Sequence, residues 1–356
     1  MSEWADQVRS DPKALIGAPA SSIRGLLEEV AEAFDRRPWP TLAEIPSDVP
    51  LQVIGDSHGD WPSVAAAMAF ARRAAPPQRF VGLGDYIHRA TRAEPDPAAL
   101  PGGSVWNAAY LLAWAAYDPD RVILLRGNHE ASRQLPVPGP TLLRELRRIY
   151  PREEALRLWG RFMDLFERLP LAGRTVNGVF LVHGGLPPPD RYDPAQWKAT
   201  DLALLEGLLW SDPDVGYEDR AIGFAYGPRE AHEFLDAIGC RVIIRGHGPI
   251  HSGRALWNGS VLTIHTSDLF HRLGDGGILL AEVPNRSRVE SAREITLRAW
   301  DGSTWRPRAI TLLPSGEGPM GPPSPVVLPS PPTVAGGPWP VPVTSERPVR
   351  GKEFSG

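Results

Sequence analysis

The sequence predicts an α/β protein, and three observations predict it. Five short apolar runs end abruptly in glycine beside aspartate, asparagine or histidine: LQVIGD (51–56), RFVGLGD (79–85), RVILLRGN (121–128), VFLVHGG (179–185) and RVIIRGHG (241–248). Their Val, Ile and Leu content suits strands buried on both faces. Segments of helical length, 62–74, 104–117, 153–168 and 228–238, lie between runs, and such alternation places sheets at the centre of a molecule with helices around them.

Taken in order, residues 1–19 read as an N-terminal extension. The main body starts with a helix over 20–36, where Ile23, Leu26, Leu27, Val30 and Phe34 recur at three- and four-residue spacing and Ser21 or Ser22 can cap the start. The five glycine-ended strands follow, and SVLTIHT (260–266) is a sixth with a less distinct end. Residues 90–103, rich in Pro and Gly, predict a surface loop. EITLRAW (294–300) and RPRAITLL (306–313) flank Asp301-Gly302 as a β-hairpin that closes a domain spanning 20–313. Residues 314–356 change character: 11 of the last 42 residues are proline, which predicts a disordered or polyproline-like tail. Such a tail can dock a partner, but an unstructured extension is the simpler reading.

Composition narrows the functional classes. The 356 residues carry 38 basic and 42 acidic side chains for a formal charge of −4, so nothing electrostatic points to nucleic acid or an anionic membrane. No apolar stretch reaches the length of a membrane span, the first residues lack a secretory signal pattern, and a cytoplasmic location is the expectation. Cys240 is the single cysteine, which excludes an intrachain disulfide and a thiolate metal cluster; inside an apolar run it reads as a small core residue.

The polar residues that end the strands carry the chemistry. In open α/β sheets, the carboxyl ends of strands are where loops converge into sites. Five of nine histidines, His58, His88, His129, His183 and His247, stand just after predicted strands, with Asp56, Asp85 and Asn128 in equivalent places. One such histidine is more often structural than a ligand. Converging, they would bury carboxylates beside imidazoles, which is costly unless a cation compensates. Two divalent metals would do so, and this donor set suits Mn, Fe or Zn better than Mg or Ca.

GDSHG, GDYIHR, GNHE, HGG and RGHG, in this order, resemble the signature of the calcineurin-like metallophosphoesterases. LLWSDPD (208–214), Asp219-Arg220, FAYGP (224–228) and RLWGRFMDLFERLPL (157–171) resemble its serine/threonine phosphoprotein phosphatase branch, and the likeness spans roughly 23–285. The resemblance implies two central β-sheets packed face to face and flanked by helices. It implies that Asp56 and His58 bind one metal, that Asn128, His183 and His247 bind the other, and that Asp85 bridges them. Mn is the first expectation for both. Arg89 and Arg220 would hold the substrate phosphate with Asn128 and His129, and His129 would be the general acid. The implied activity is hydrolysis of phosphoserine or phosphothreonine, and also phosphotyrosine, in proteins by attack of a metal-bridging hydroxide. A dinucleoside polyphosphate or other small phosphoester is the alternative substrate. A catalytically dead binding protein is disfavoured, because all six metal-binding positions and both arginines are present.

The family pattern GDxxDRG reads GDYIHRA here, so His88 replaces an aspartate that normally orients the catalytic histidine. TSDLF (266–270) replaces the family's SAPNY, with Phe270 where a tyrosine is usual. A histidine at 88 cannot supply the missing negative charge, so turnover of poor leaving groups is expected to suffer more than turnover of activated aryl phosphates. His88→Asp should therefore raise the rate on phosphoserine more than on an aryl phosphate, and equal effects on both would contradict this.

Overall fold

The computed structural model describes residues 1–87, 103–135, 137, 141–214, 222–268 and 277–313. The helices are α1 (Glu3–Ser10), α2 (Ala20–Arg36), α3 (Trp61–Arg73), α4 (Gly103–Tyr117), α5 (Thr141–Ile149), α6 (Arg152–Phe166), α7 (Leu202–Trp210) and α8 (Pro228–Ala237). The strands in the first half are β1 (Leu42–Ile45), β2 (Leu51–Ile54), β3 (Arg79–Gly82), β4 (Val122–Leu124), β5 (Ala172–Thr175) and β6 (Val179–Val182). There follow β7 (Asp212–Pro213), β8 (Ala225–Tyr226), β9 (Val242–Arg245), β10 (Arg254–Leu256), β11 (Val261–Thr263), β12 (Leu279–Val283), β13 (Thr296–Trp300), β14 (Trp305–Arg308) and β15 (Thr311–Leu312). Thus the six central strands and all five helices expected from the sequence form, α2 with the expected bounds and the other helices with shifted ends.

A six-stranded sheet runs β14-β13-β12-β2-β3-β4, and a seven-stranded sheet runs β1-β5-β6-β9-β11-β10-β15. The two pack face to face. Leu51 and Val53 of β2 and Val81 of β3 meet Val179 and Leu181 of β6 and Val242 and Ile244 of β9 in one apolar layer. The alternate residues point outward. Ile54, Phe80 and Val122 pack under α1 to α6, while Phe180, Val182 and Ile243 pack under α7 and α8. Burial on both faces explains why these strands read as continuous apolar runs. Within the first sheet β2, β3 and β4 are mutually parallel, and within the second so are β6, β9 and β11.

Local chemistry accounts for most boundaries. Asp60 caps α3 by accepting from Ser63 N–H (3.3 Å) and Ser63 Oγ (2.8 Å). Pro228 occupies the first position of α8, where a missing N–H costs nothing. The α2 face is as expected, with Ile23, Leu26, Leu27, Val30 and Phe34 buried, but the helix begins at Ala20 after Pro19, so neither Ser21 nor Ser22 is its cap. Residues ahead of α2 also fold, and Ala5, Val8 and Leu15 join the core beneath α2 and α4.

The hairpin forms with Trp300 opposite Trp305 and Asp301-Gly302 in the turn. Its second arm departs from expectation. Pro307 sits in the edge strand β14, where its missing N–H is tolerated, and the chain then crosses to pair β15 with β10 of the other sheet. The 90–102 part of the expected loop and the proline-rich tail lie outside the described residues.

Candidate metal centre and active site

The carboxyl ends of both parallel strand trios converge. Asp56 and His58 follow β2, Asp85 follows β3, Asn128 and His129 follow β4, His183 follows β6 and His247 follows β9. The loops that carry them turn sharply. His58, Asp85 and His247 have φ of 43°, 53° and 66°, left-handed values that side-chain-bearing residues adopt only when the surroundings enforce them. The enforcing contacts are visible. Asp85 C=O accepts from the N–H groups of Ser57 (3.1 Å) and His58 (2.9 Å). The buried Glu130 carboxylate accepts from the N–H groups of Asp85 (2.7 Å), Tyr86 (2.9 Å) and Gly127 (3.0 Å), tying the β3 and β4 loops together. Burial pushes Glu130 up to about 7, against the pull of those three donors.

The six side chains expected to bind metal are gathered there. His183 Nδ1 lies 3.7 Å from Asp56 Oδ1, and its Nε2 lies 3.5 Å from Asp85 Oδ1 and 2.9 Å from Asn128 Oδ1. His58 Nε2 is 3.8 Å from Asp56 Oδ2 and 3.7 Å from Asp85 Oδ2. The His247 ring lies 5.0 Å from that of His183, and the backbone N–H of His247 donates to both oxygens of Asp56 (2.9 and 3.1 Å). His129 Nε2 is 3.6 Å from Asp85 Oδ2, and its side chain, 23% exposed, stands nearest the solvent. His88, Arg89 and Arg220 lie outside the described residues.

These residues fit a pair of divalent cations. The imidazole–carboxylate separations exceed those of N–H···O hydrogen bonds. They match instead what two ligands of one cation show, about 3–4 Å apart when each bond is about 2.0–2.2 Å. His58 Nδ1 sits 3.0 Å from Ile87 C=O, an arrangement that places its proton there and leaves Nε2 to ligate. His183 Nδ1 is buried and makes no hydrogen bond among the described residues.

The electrostatics point the same way. Burial opposes ionisation of Asp56, and charge on the rings of His265, His183 and His58 would more than offset it, holding the carboxyl well below its usual range. Yet burial takes His183 itself down to about 3, so at neutral pH that ring is uncharged and cannot supply the compensation. Bound cations can. Bare backbone cradles both carboxylates: a Cβ on Gly246 would overlap Asp56 Oδ1, and one on Gly127 would overlap Asp85 Oδ1.

Residues 49–250, more than half of the chain, match the sequence model of the calcineurin-like phosphoesterases. The chain belongs to that family. It is accordingly a phosphatase-like hydrolase that splits phosphoesters with the help of divalent metal.

Solved structures match the chain to different degrees. A protein serine/threonine phosphatase from Saccharomyces cerevisiae matches with a TM-score of 0.63 and 22% identity, over 83% of this chain and 95% of that one. A diadenosine tetraphosphatase described as putative gives 0.40 and 14%, over 74% and 100%. A cold-active protein-tyrosine phosphatase from a Shewanella species gives 0.46 and 18%, over 76% and 83%.

Sequence reasoning missed several residues at this phosphoesterase site. His265, after β11, is fully buried with Nε2 3.5 Å from Asp56 Oδ2. Its signal was a histidine directly after an apolar run. Asp212 Oδ2 lies 3.8 Å from His247 Nε2, and Arg245 holds the other oxygen of Asp212 at 2.6 Å. The cradle is directly testable. Gly246→Ala should displace Asp56 and lower bound metal per chain. Gly25→Ala, where no atom lies within 4 Å of the added Cβ, should keep full metal content and gain about 0.5–1 kcal/mol of stability. Equal metal content in the two would contradict the cradle.

Proposed function

We propose that the chain is a phosphatase of the serine/threonine phosphoprotein branch, acting on phosphoserine and phosphothreonine, and also phosphotyrosine, in proteins. The observation that carries this reading is where two branch-specific segments meet. LLWSDPD and FAYGP come together as the β7–β8 pair, with Asp212 opposite Ala225 and Pro213 opposite Tyr226. Asp212 of this pair lies 3.8 Å from His247 Nε2, and Trp210, at the end of α7 just before it, sets its ring 5.5 Å from that of His247. A fold likeness at 22% identity does not by itself choose a substrate.

Asp56, His58 and Asp85 would hold one cation, and Asp85, Asn128, His183 and His247 the other, with Mn the metal expected. Bound there, two such cations would acidify water and supply Lewis acidity toward the phosphoryl oxygens. The protein does the rest. Arg89 and Arg220 grip the phosphate, because a guanidinium fork matches two of its oxygens. His129, whose backbone N–H donates to Asp85 Oδ1 (3.1 Å), protonates the departing ester oxygen from the site's open side. Cys240 takes no part: it is buried under α8, and burial pushes its thiol up to about 12.

A competition panel of phosphopeptides, dinucleoside polyphosphates and aryl phosphates on Mn-loaded enzyme tests the proposal. Phosphopeptides should be preferred by at least about tenfold in kcat/KM. His129→Asn should slow phosphoserine turnover by about 10²–10⁴ and aryl phosphate turnover much less, while Asp85→Asn should abolish both. A preference for dinucleoside polyphosphates would overturn the substrate assignment.

A further inference from the structure

His265 follows β11 and reaches the same locus as the expected metal ligands. An isolated parallel bridge sets it directly beside Asp56, across the seam between the two sheets, so both side chains leave the backbone on the same face. The backbone there has little slack. Thr266 N–H donates to Asp56 C=O (2.9 Å), and Leu279 N–H donates to His265 C=O (2.8 Å). Thr266 Oγ1 accepts from Gly55 N–H (3.0 Å) and donates to Leu279 C=O (2.6 Å). The strands approach so closely that a Cβ on Gly55 would overlap Ile264 C=O. His265 is therefore delivered to Asp56 by the architecture itself.

Its ring is fully buried, and Nε2 stands 3.5 Å from Asp56 Oδ2, the same oxygen that His58 Nε2 faces at 3.8 Å. That separation lies beyond the usual N–H···O range. It equals the 3.5–3.8 Å spacings between His58, His183 and the two aspartates. We propose that His265 is a fourth imidazole donor of the metal centre, ligating through Nε2 the cation shared by Asp56 and His58.

The inference rests on the two-cation reading of the site and adds a ligand to it. It also has a consequence for metal choice. A second imidazole on that cation raises its preference for Zn or Fe over Mn, since imidazole suits the former and oxygen donors the latter.

The test uses the full chain loaded with Co²⁺ as probe, with His265→Phe and His265→Gln as variants. Stoichiometry and affinity are read by titration, and coordination by Co²⁺ visible absorption and by X-ray absorption counting of imidazoles. Wild type should bind two Co²⁺. Both variants should bind one of them about 10–100-fold more weakly, with one imidazole fewer and a changed Co²⁺ spectrum. Unchanged affinity and count would overturn the proposal. So would weaker binding with an unchanged count and spectrum, which would make His265 only a support for Asp56. Should either variant fail to fold, the other still reports, and the imidazole count of wild type stands by itself. A wild type that binds no Co²⁺ would instead remove the metal centre on which the proposal rests.

Discussion

Two carboxylates, Asp56 and Asp85, lie almost wholly buried at the meeting edge of two sheets, with His183 close to both. Placing negative charge there is costly unless positive charge accompanies it. The surrounding imidazoles cannot all provide that charge, because burial keeps His183 neutral. A divalent metal centre would resolve the conflict and suits the phosphoester-cleaving chemistry of the family. Much of the molecule can be understood as the means of holding these two groups in place.

The holding is done mainly by backbone. Two trios of parallel strands direct their carboxyl ends at one locus, and the layer between the sheets fixes their relative position. The loops beyond accept left-handed residues at His58, Asp85 and His247 because neighbouring N–H and C=O groups lock them. Glu130 is the clearest lock, since both its oxygens are engaged by backbone N–H groups of two loops. Glycine enters where backbone must lie flush against something else, as Gly246 does against Asp56 and Gly55 against Ile264. Strain of this kind is common at sites and is offset by the fold around it.

Much of this was legible in the sequence, for a physical reason. Strands buried on both faces give unbroken apolar runs, and sharp turns after them demand glycine, so the positions of Asp56, Asp85, Asn128, His183 and His247 stood out. The sheet-on-sheet packing did not. Leu51 and Val53 face the other sheet while Ile54 faces helices, and all are apolar, so no alternation marks the faces. That arrangement was reached only through resemblance to a family. His265 escaped for a related reason: the segment after β11, Ile264-His265-Thr266, has no glycine, because the clearance is provided by Gly55, just after β2 of the other sheet. Helix α7 was missed because LALLEGLLW is apolar nearly throughout and has no distinct polar face.

Anomalous diffraction from crystals of active, metal-loaded protein addresses the central claim most directly. Two peaks about 3.5–4 Å apart, one beside Asp56 and His58, the other beside Asn128, His183 and His247, with Asp85 between them, are the expected result. Active protein with no metal at that locus, or with metal bound elsewhere, would contradict it.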